Sequence, residues 1–457
     1  MECFPSSQPK MPSLYDLPDE ILLEIARGLQ AIRSYETQSV AFKHKGTEKG
    51  RQRENHIRQK ALHSLCLTSH RLRCISLPTL YASSITCATW SGLKQLRLFH
   101  RTISSSEKAL NQSKSLKGYV QYVENRLADY LGNSLHDDEI FQEKSAFGYF
   151  HLLSKVVLCA PNLEHLCVVS LEHGEVSFWD HLLAKSHPST RLVGHGLGKL
   201  RYLSIQIHAH AWPTVPGAAV FERISLTLRS FAMLSELRVS GATTNREFEL
   251  VSRPQKVPNL QRLDLTECCL EMSEVADLLS ACKDVRHFTC RWAYLQGARS
   301  GPSELRTALL AHTDILESLA LDTREIRYDP NIELEPKVLG SLRALKSLKS
   351  LEICETGFSS CDLSLLDFPD QRLDPGLSML LPRSLERMTL LARGDFNHYD
   401  EDVLEDAFCL WQLAHDRMTT LPHLKALCIV ARHDLSAPGL VKVFKKAGVQ
   451  FHIEMED

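Results

Sequence analysis

The stretch NLQRLDLTECCL, Asn259 to Leu270, spaces its apolar residues as L-x-x-L-x-L-x-x-C-x-L, with Cys268 in the slot of a polar ladder. Leu263 and Leu265 are two apart, so on a strand they share a face, and Arg262, Asp264 and Thr266 turn to the other side. Weaker copies carry the triplets Leu93/Leu96/Leu98, Leu163/Leu166/Val168, Leu200/Leu203/Ile205, Leu234/Leu237/Val239, Val285/Phe288/Cys290, Leu316/Leu319/Leu321, Leu348/Leu351/Ile353, Leu385/Met388/Leu390 and Leu424/Leu427/Ile429. A unit of this kind cannot bury its apolar face alone; it has to stack on neighbours. From the second triplet onward the middle residues recur every 25 to 39 positions, which leaves room for a helix and a loop per unit.

The intervening segments have helical patterning. MSEVADLLSACKDV places Val275, Leu278, Leu279 and Cys282 on one face; SELRTALLAHTD begins at a capping Ser303; and EDVLEDAFCLWQLAHDRM does the same at greater length. The reading is α/β, with parallel strands on the concave side of an irregular array over residues 90–457 and helices on the convex side. Ser104 to Phe150 interrupts the rhythm with helix-like runs around Tyr119 to Leu131. Asp322 to Glu335 and Ser359 to Asp374 read as projecting loops, and a last strand at Val449 to Ile453 caps the edge.

The first eighty residues follow another rule. Pro18 suits a first helical turn, Asp19 and Glu20 complement the positive helix end, and Ile21, Leu22, Ile25 and Leu29 share a face widened by Leu17 and Leu23. Leu62, Leu65, Leu72 and Ile75 keep helical spacing until Leu77-Pro78 stops the run. Between them the basic stretch KHKGTEKGRQRENHIRQK, within Gln30 to Lys60, has no apolar period and reads as a solvated, dispensable loop, or alternatively as a nuclear-localisation patch. So small a helical module, residues 13–82, cannot bury all its aliphatic side chains, and some of that surface needs a partner.

Composition narrows the function. The net charge of -2 gives no global field toward nucleic acid or an anionic membrane, and no apolar run reaches the roughly eighteen residues of a span. MECFPSSQPKMPS lacks the pattern of a signal peptide, so a cytoplasmic or nuclear location is expected. The 14 cysteines are scattered without a C-x-x-C pair; Cys66, Cys159, Cys282 and Cys409 sit in apolar helical patterns and read as packed thiols. VGHGLGKL fails as a phosphate loop at both ends, HAHAW offers two ligands without a third, DFNHYDED reads as an acidic helix start, and GFSSC lacks the second glycine of a nucleophile elbow. No catalytic residue, cofactor or metal is expected, and the protein reads as a non-enzyme.

Leu17-Pro18, the ladder Ile21, Leu22 and Ile25, then Leu62, Leu65, Thr68-Ser69 and Leu77-Pro78 resemble an F-box, and PTLYASSI looks like the end of F-boxes common in fungal proteins. With the array behind it, the chain resembles an F-box protein with leucine-rich repeats. The resemblance implies a small α-helical F-box module preceding a leucine-rich-repeat solenoid. It also implies a substrate adaptor of an SCF-type ubiquitin ligase, docking on a Skp-family adaptor, and through it on cullin, by Leu17, Pro18, Ile21, Leu22, Ile25, Leu62 and Leu65. The alternative is a leucine-rich interaction scaffold with no ubiquitin role.

The repeats would hold the protein substrate on the outward strand positions Glu236, Arg238 and Ser240, then Arg262, Asp264 and Thr266, then His287, Thr289 and Arg291. Arg238 and Asp264 should be neighbours, and Arg262 and Arg291 should make the patch locally basic, suited to an acidic or phosphorylated segment. An internally paired sheet face is the other outcome.

Overall fold

The computed structural model describes residues 14–35, 45–87, 89–109, 115–126, 143–169, 178, 196–206, 231–243, 257, 259–329, 331, 338–354, 357–358, 376–392, 407–432 and 435–456. Among the described residues, after a 3-10 turn at Leu14–Asp16, the chain opens with α1 (Asp19–Gly28), α2 (Lys45–Thr68) and α3 (His70–Leu80). Helices α1 and α2 both pack on α3. The stretch expected to be one helix up to Leu77 is two, because Ser69 breaks it and its side chain accepts a hydrogen bond from the Leu72 backbone N–H at 3.2 Å. Pro78 does not stop α3; it sits inside the last turn, which closes at Leu80.

The rest of the described chain is organised around one sheet. Its strands are β1 (Ser83–Cys87), β2 (Tyr122–Arg126), β3 (His165–Val169), β4 (Tyr202–Gln206), β5 (Glu236–Ser240), β6 (Arg262–Cys268) and β7 (His287–Trp292), followed across the sheet by β9 (Ser318–Asp322), β11 (Ser350–Cys354), β12 (Arg387–Leu391), β13 (Ala426–Ala431) and β14 (Gln450–Met455). These 12 strands are parallel and lie in chain order. A second, two-stranded parallel sheet pairs β8 (Leu295–Ala298) with β10 (Ile326–Tyr328).

Register follows the leucine pattern. Val123, Leu166, Leu203, Leu237, Leu263, Phe288, Leu319, Leu351, Met388, Leu427 and Phe451 pair in one row across the sheet. All but Phe451 are buried, and that row anchors one continuous apolar core from Leu93 to Val449. A one-residue slip would turn each strand's whole apolar set to the other face, so a strand inside this row has a single workable register. Truncating one of these leucines to alanine costs about 2–5 kcal/mol.

Helices close the core on the apolar side. They include α4 (Trp90–Ala109), α5 (Glu143–Cys159), α6 (Met272–Ala281), α7 (Pro302–Leu310), α8 (Phe408–Thr420) and α9 (Pro438–Lys446). Val275, Leu278, Leu279 and Cys282 are all buried, as the spacing requires. Helix α7 is capped by Gly301, not Ser303: Pro302 takes the first helical position and the Gly301 N–H donates to Glu304 at 3.0 Å. In α4, Gly92 has no substitute, because a Cβ there would lie 1.8 Å from the Cys87 carbonyl oxygen.

Within the array, three regions depart from the sequence reading. The triplet Leu93/Leu96/Leu98 is helical, not a strand; Leu93 and Leu96 are buried but Leu98, off the face at i+5, is 54% exposed. The chain around Tyr119 to Leu131, expected to be helical, holds strand β2. Asp322 to Asp329 is no projecting loop: Ile326 to Tyr328 forms β10, and buried Arg324 ties Asp322 (2.8 Å) to Glu456 (2.7 Å) at the far end of the chain. Ser359 to Asp374, HAHAW and DFNHYDED lie outside the described residues.

Candidate functional site

The first candidate surface is on the N-terminal helices. Arg71 from α3 fixes the start of α1 by pairing with Asp19 at 2.6 Å and donating to the Leu17 carbonyl at 2.7 Å. The pinned helix divides its aliphatic residues between two faces. Leu22 and Ala26 are buried against the neighbouring helices, whereas Ile21 is 48% exposed and Ile25 38% exposed, with Leu14 and Pro18 open beside them. Leu62 is buried on α2, and Leu17 and Leu65 are half-buried. Of the seven residues expected to support adaptor binding, Pro18, Ile21 and Ile25 face solvent, while Leu22 and Leu62 can act only by holding the helices together.

The basic insert is the largest surprise. Residues 45–60, expected to be a solvated loop, form the first part of α2, and one polar face of it packs while the other is exposed. Glu48, Gln52 and Asn55, spaced i, i+4 and i+7, are all buried. Asn55 clamps Ile32 through both its carbonyl oxygen (2.7 Å) and its amide (3.1 Å). Arg51 lies between Glu48 and Glu124 of β2, at 2.6 Å from each, with side chains only 11%, 7% and 3% exposed. Burial works against the charge on Arg51, but the hydrogen bonds it donates to Glu48 and Glu124, with the charge of Glu124, outweigh it and hold the guanidinium above its ordinary range.

The segment just before the insert helix lies across the sheet. The Ser34 N–H donates to the Tyr122 hydroxyl at 3.0 Å, and Tyr122 in turn donates to Glu124. Tyr35 sets its ring edge-on to His165 (5.2 Å between centroids) and to Tyr202 (5.6 Å), and Arg33 stands 5.9 Å over the Tyr122 ring. His165, packed between these rings, is held far below the usual histidine range, at about 3, by burial and by Arg33. Residues 31–35 and Arg51 of α2 therefore cover part of the face of β2 to β4.

The second candidate surface starts at the next strand. Arg238 and Asp264 are register partners, as expected, with Nε–Oδ2 at 3.3 Å; Arg262 reaches the same oxygen at 3.4 Å, and Arg238 also pairs with Glu236 at 3.4 Å. Arg238 lies 5.5 Å over the Tyr202 ring, which joins this cluster to the aromatic group under Tyr35. His287 adjoins Arg262 in register and is pushed below its ordinary range by burial first and that arginine second. Arg291 leaves the cluster and pairs with Glu352 on β11 at 2.9 Å. The face is mixed rather than basic, because Arg238, Arg262 and Arg291 each have a carboxylate. Among the described residues, Asp264 Oδ1, Thr266 Oγ1 and Gln206 Oε1 are buried without a hydrogen-bond partner.

Along the rim, just before the strands, Arg286, Glu317, Lys349, Glu386 and Lys425 alternate in sign, with contacts of 3.0, 3.2 and 2.7 Å for Arg286–Glu317, Lys349–Glu317 and Lys425–Glu386. Arg286, Glu317, Lys349 and Glu386 line a groove of about 510 Å3 with Asp314, Lys346 and His423. Pairing on this scale fixes lateral order more than stability.

No protein-family model matches the chain, and no curated protein matches it significantly. Among the described residues, no helix is long and apolar enough to cross a membrane.

Proposed function

We propose that the protein is a substrate-recognition adaptor of an SCF-type ubiquitin ligase, with no catalysis of its own. In this reading α1 to α3 are an F-box that docks on a Skp-family adaptor, and through it on cullin. The parallel array is a leucine-rich-repeat solenoid that holds a target protein. The observation that carries it is the outward Ile21/Ile25 face of a helix pinned by Arg71, an aliphatic patch with no described residue packed over it. The partnerless oxygens of Asp264, Thr266 and Gln206 support a target segment that brings hydrogen-bond donors to β4 through β6.

The test is co-purification of the full chain with a Skp-family adaptor. The double variant Ile21→Asp/Ile25→Asp should abolish it while leaving the melting transition in place, because charges are depleted from the cores of such interfaces. Full binding by the folded double variant would end the adaptor reading. Leu22 is the wrong target, since a buried aspartate would unfold the module.

One observation favours a second reading, a leucine-rich scaffold without a ubiquitin role. Helix α2 is fastened to β2 through Arg51 and Glu124, which is what a terminal cap of such an array does. Under that reading the Ile21/Ile25 double variant changes no partner.

A further inference from the structure

At the opposite end of the sheet, β13 and β14 bring together three side chains of a kind seen nowhere else among the described residues. Cys428 and His452 are register partners across the two strands, and Glu454 follows His452 two positions along the same face. The Cys428 sulfur, a His452 ring nitrogen and a Glu454 carboxylate oxygen all lie within 4.8 Å of one another. His452 Nε2 is 3.1 Å from Glu454 Oε1.

We propose that Cys428, His452 and Glu454 form a binding site for a divalent transition metal of zinc type at the terminal edge of the sheet. One thiolate, one imidazole and one carboxylate is a donor set that suits zinc over magnesium or calcium, which prefer oxygen alone. Bonds of about 2.0–2.3 Å in a tetrahedron put donor atoms about 3.3–3.8 Å apart, so rotamer adjustments close the gap. The chain supplies three ligands, and the solvent side, where the His452 and Glu454 side chains are 49% and 60% exposed, leaves the fourth position to water.

The surroundings agree with a cation there. Cys428 is buried beside the Glu454 carboxylate, whose negative charge faces the same spot. A bound metal ion displaces the thiol proton and takes over the negative charge of Glu454. Glu352, two strands inward in the row Glu352, Thr389, Cys428 and His452, adds a further negative field. Sequence spacing gives no hint of the trio, because Cys428 and His452 stand one full strand–helix unit apart.

The site is independent of the adaptor reading and is tested on the full, reduced, metal-stripped chain by titration with Co2+. One equivalent should produce a thiolate-to-cobalt charge-transfer band and the visible bands of a four-coordinate ion, and Zn2+ should displace it. Cys428→Ser should remove the charge-transfer band, whereas Cys354→Ser, a buried thiol outside the trio, should keep it. His452→Asn and Glu454→Gln, at exposed positions that leave folding intact, should each weaken Co2+ binding at least tenfold. A folded wild-type chain without the band, or His452→Asn and Glu454→Gln variants that bind as tightly as wild type, would overturn the site and leave a hydrogen-bonded trio only.

Discussion

The face of β2 to β4 and the face of β5 to β7 belong to one sheet and carry similar side chains, yet they are completed differently. On β2 to β4 the chain's own residues 31–35 and α2 supply the partners: Arg51 for Glu124, Ser34 for Tyr122, Tyr35 for His165 and Tyr202. On β5 to β7 the described charges pair along and between strands, and Asp264 Oδ1 and Thr266 Oγ1 stay buried without a hydrogen-bond partner among the described residues, as Arg126 Nε of β2 and Gln206 Oε1 of β4 do on the other side. A polar strand face does not by itself mark a binding surface. What distinguishes the two is whether the same chain has already brought the complementary groups.

The contrast can be broken most forcefully at Arg51. Arg51→Ala leaves Glu48 and Glu124 buried without their cation, and the expected loss is about 3–5 kcal/mol in urea unfolding. A loss no larger than that of a surface pair would mean that the insert only rests on the sheet. Acid provides the second test. The folded His165 takes a proton near pH 3, whereas the unfolded one takes it near 6.5, so between these values the unfolded state binds more protons. Stability should be full above pH 6.5 and fall on acidification toward pH 3, with this group contributing up to about 1.4 kcal/mol per pH unit. His165→Gln should flatten that part of the pH profile; an unchanged slope would place the histidine in water.

Smaller effects sharpen the boundary. Tyr35→Ala removes two edge-on ring contacts and should cost about 0.5–1.5 kcal/mol, and the same measurement on a shortened side chain separates ring contact from backbone docking. Arg291→Ala, on the other side of the boundary, breaks only the half-exposed pair with Glu352 and should change stability by about 0–1 kcal/mol. A larger loss there would show that the β5 to β7 face is completed internally after all.

Much of the sheet was legible because Leu163 through Ile429 mark strands by a pattern that only one register satisfies. The errors have definite causes. Leu93/Leu96/Leu98 fits the same spacing, but i and i+3 also share a helix face, and only the exposure of Leu98 separates the two. Strand β2 was missed because Val120 and Val123 are followed by Asn125, where the pattern asks for an aliphatic residue; its side chain instead bonds the Val169 N–H and carbonyl at 2.8 and 2.9 Å. The insert was misread for a related reason. Glu48, Gln52 and Asn55 keep helical spacing, but as polar residues they carry no hydrophobic period, and nothing local announces that Glu124 waits for Arg51. Of the candidate site, the Arg238–Asp264 contact followed from register alone, while the division of Ile21 and Ile25 from Leu22 needed the pin at Arg71.

The strap of residues 31–35 also has a timetable. A sheet whose strands pair in chain order can grow by adding each neighbour as it leaves the ribosome. Ser34 cannot join so early, because its contact at Cys167 lies 133 residues downstream. At about 5–20 residues per second, that delay is on the order of ten seconds. Tyr122 emerges first, 88 residues after Ser34, then His165 and Cys167, and Tyr202 last, so the strap docks in steps and its completion records that the first strands have closed.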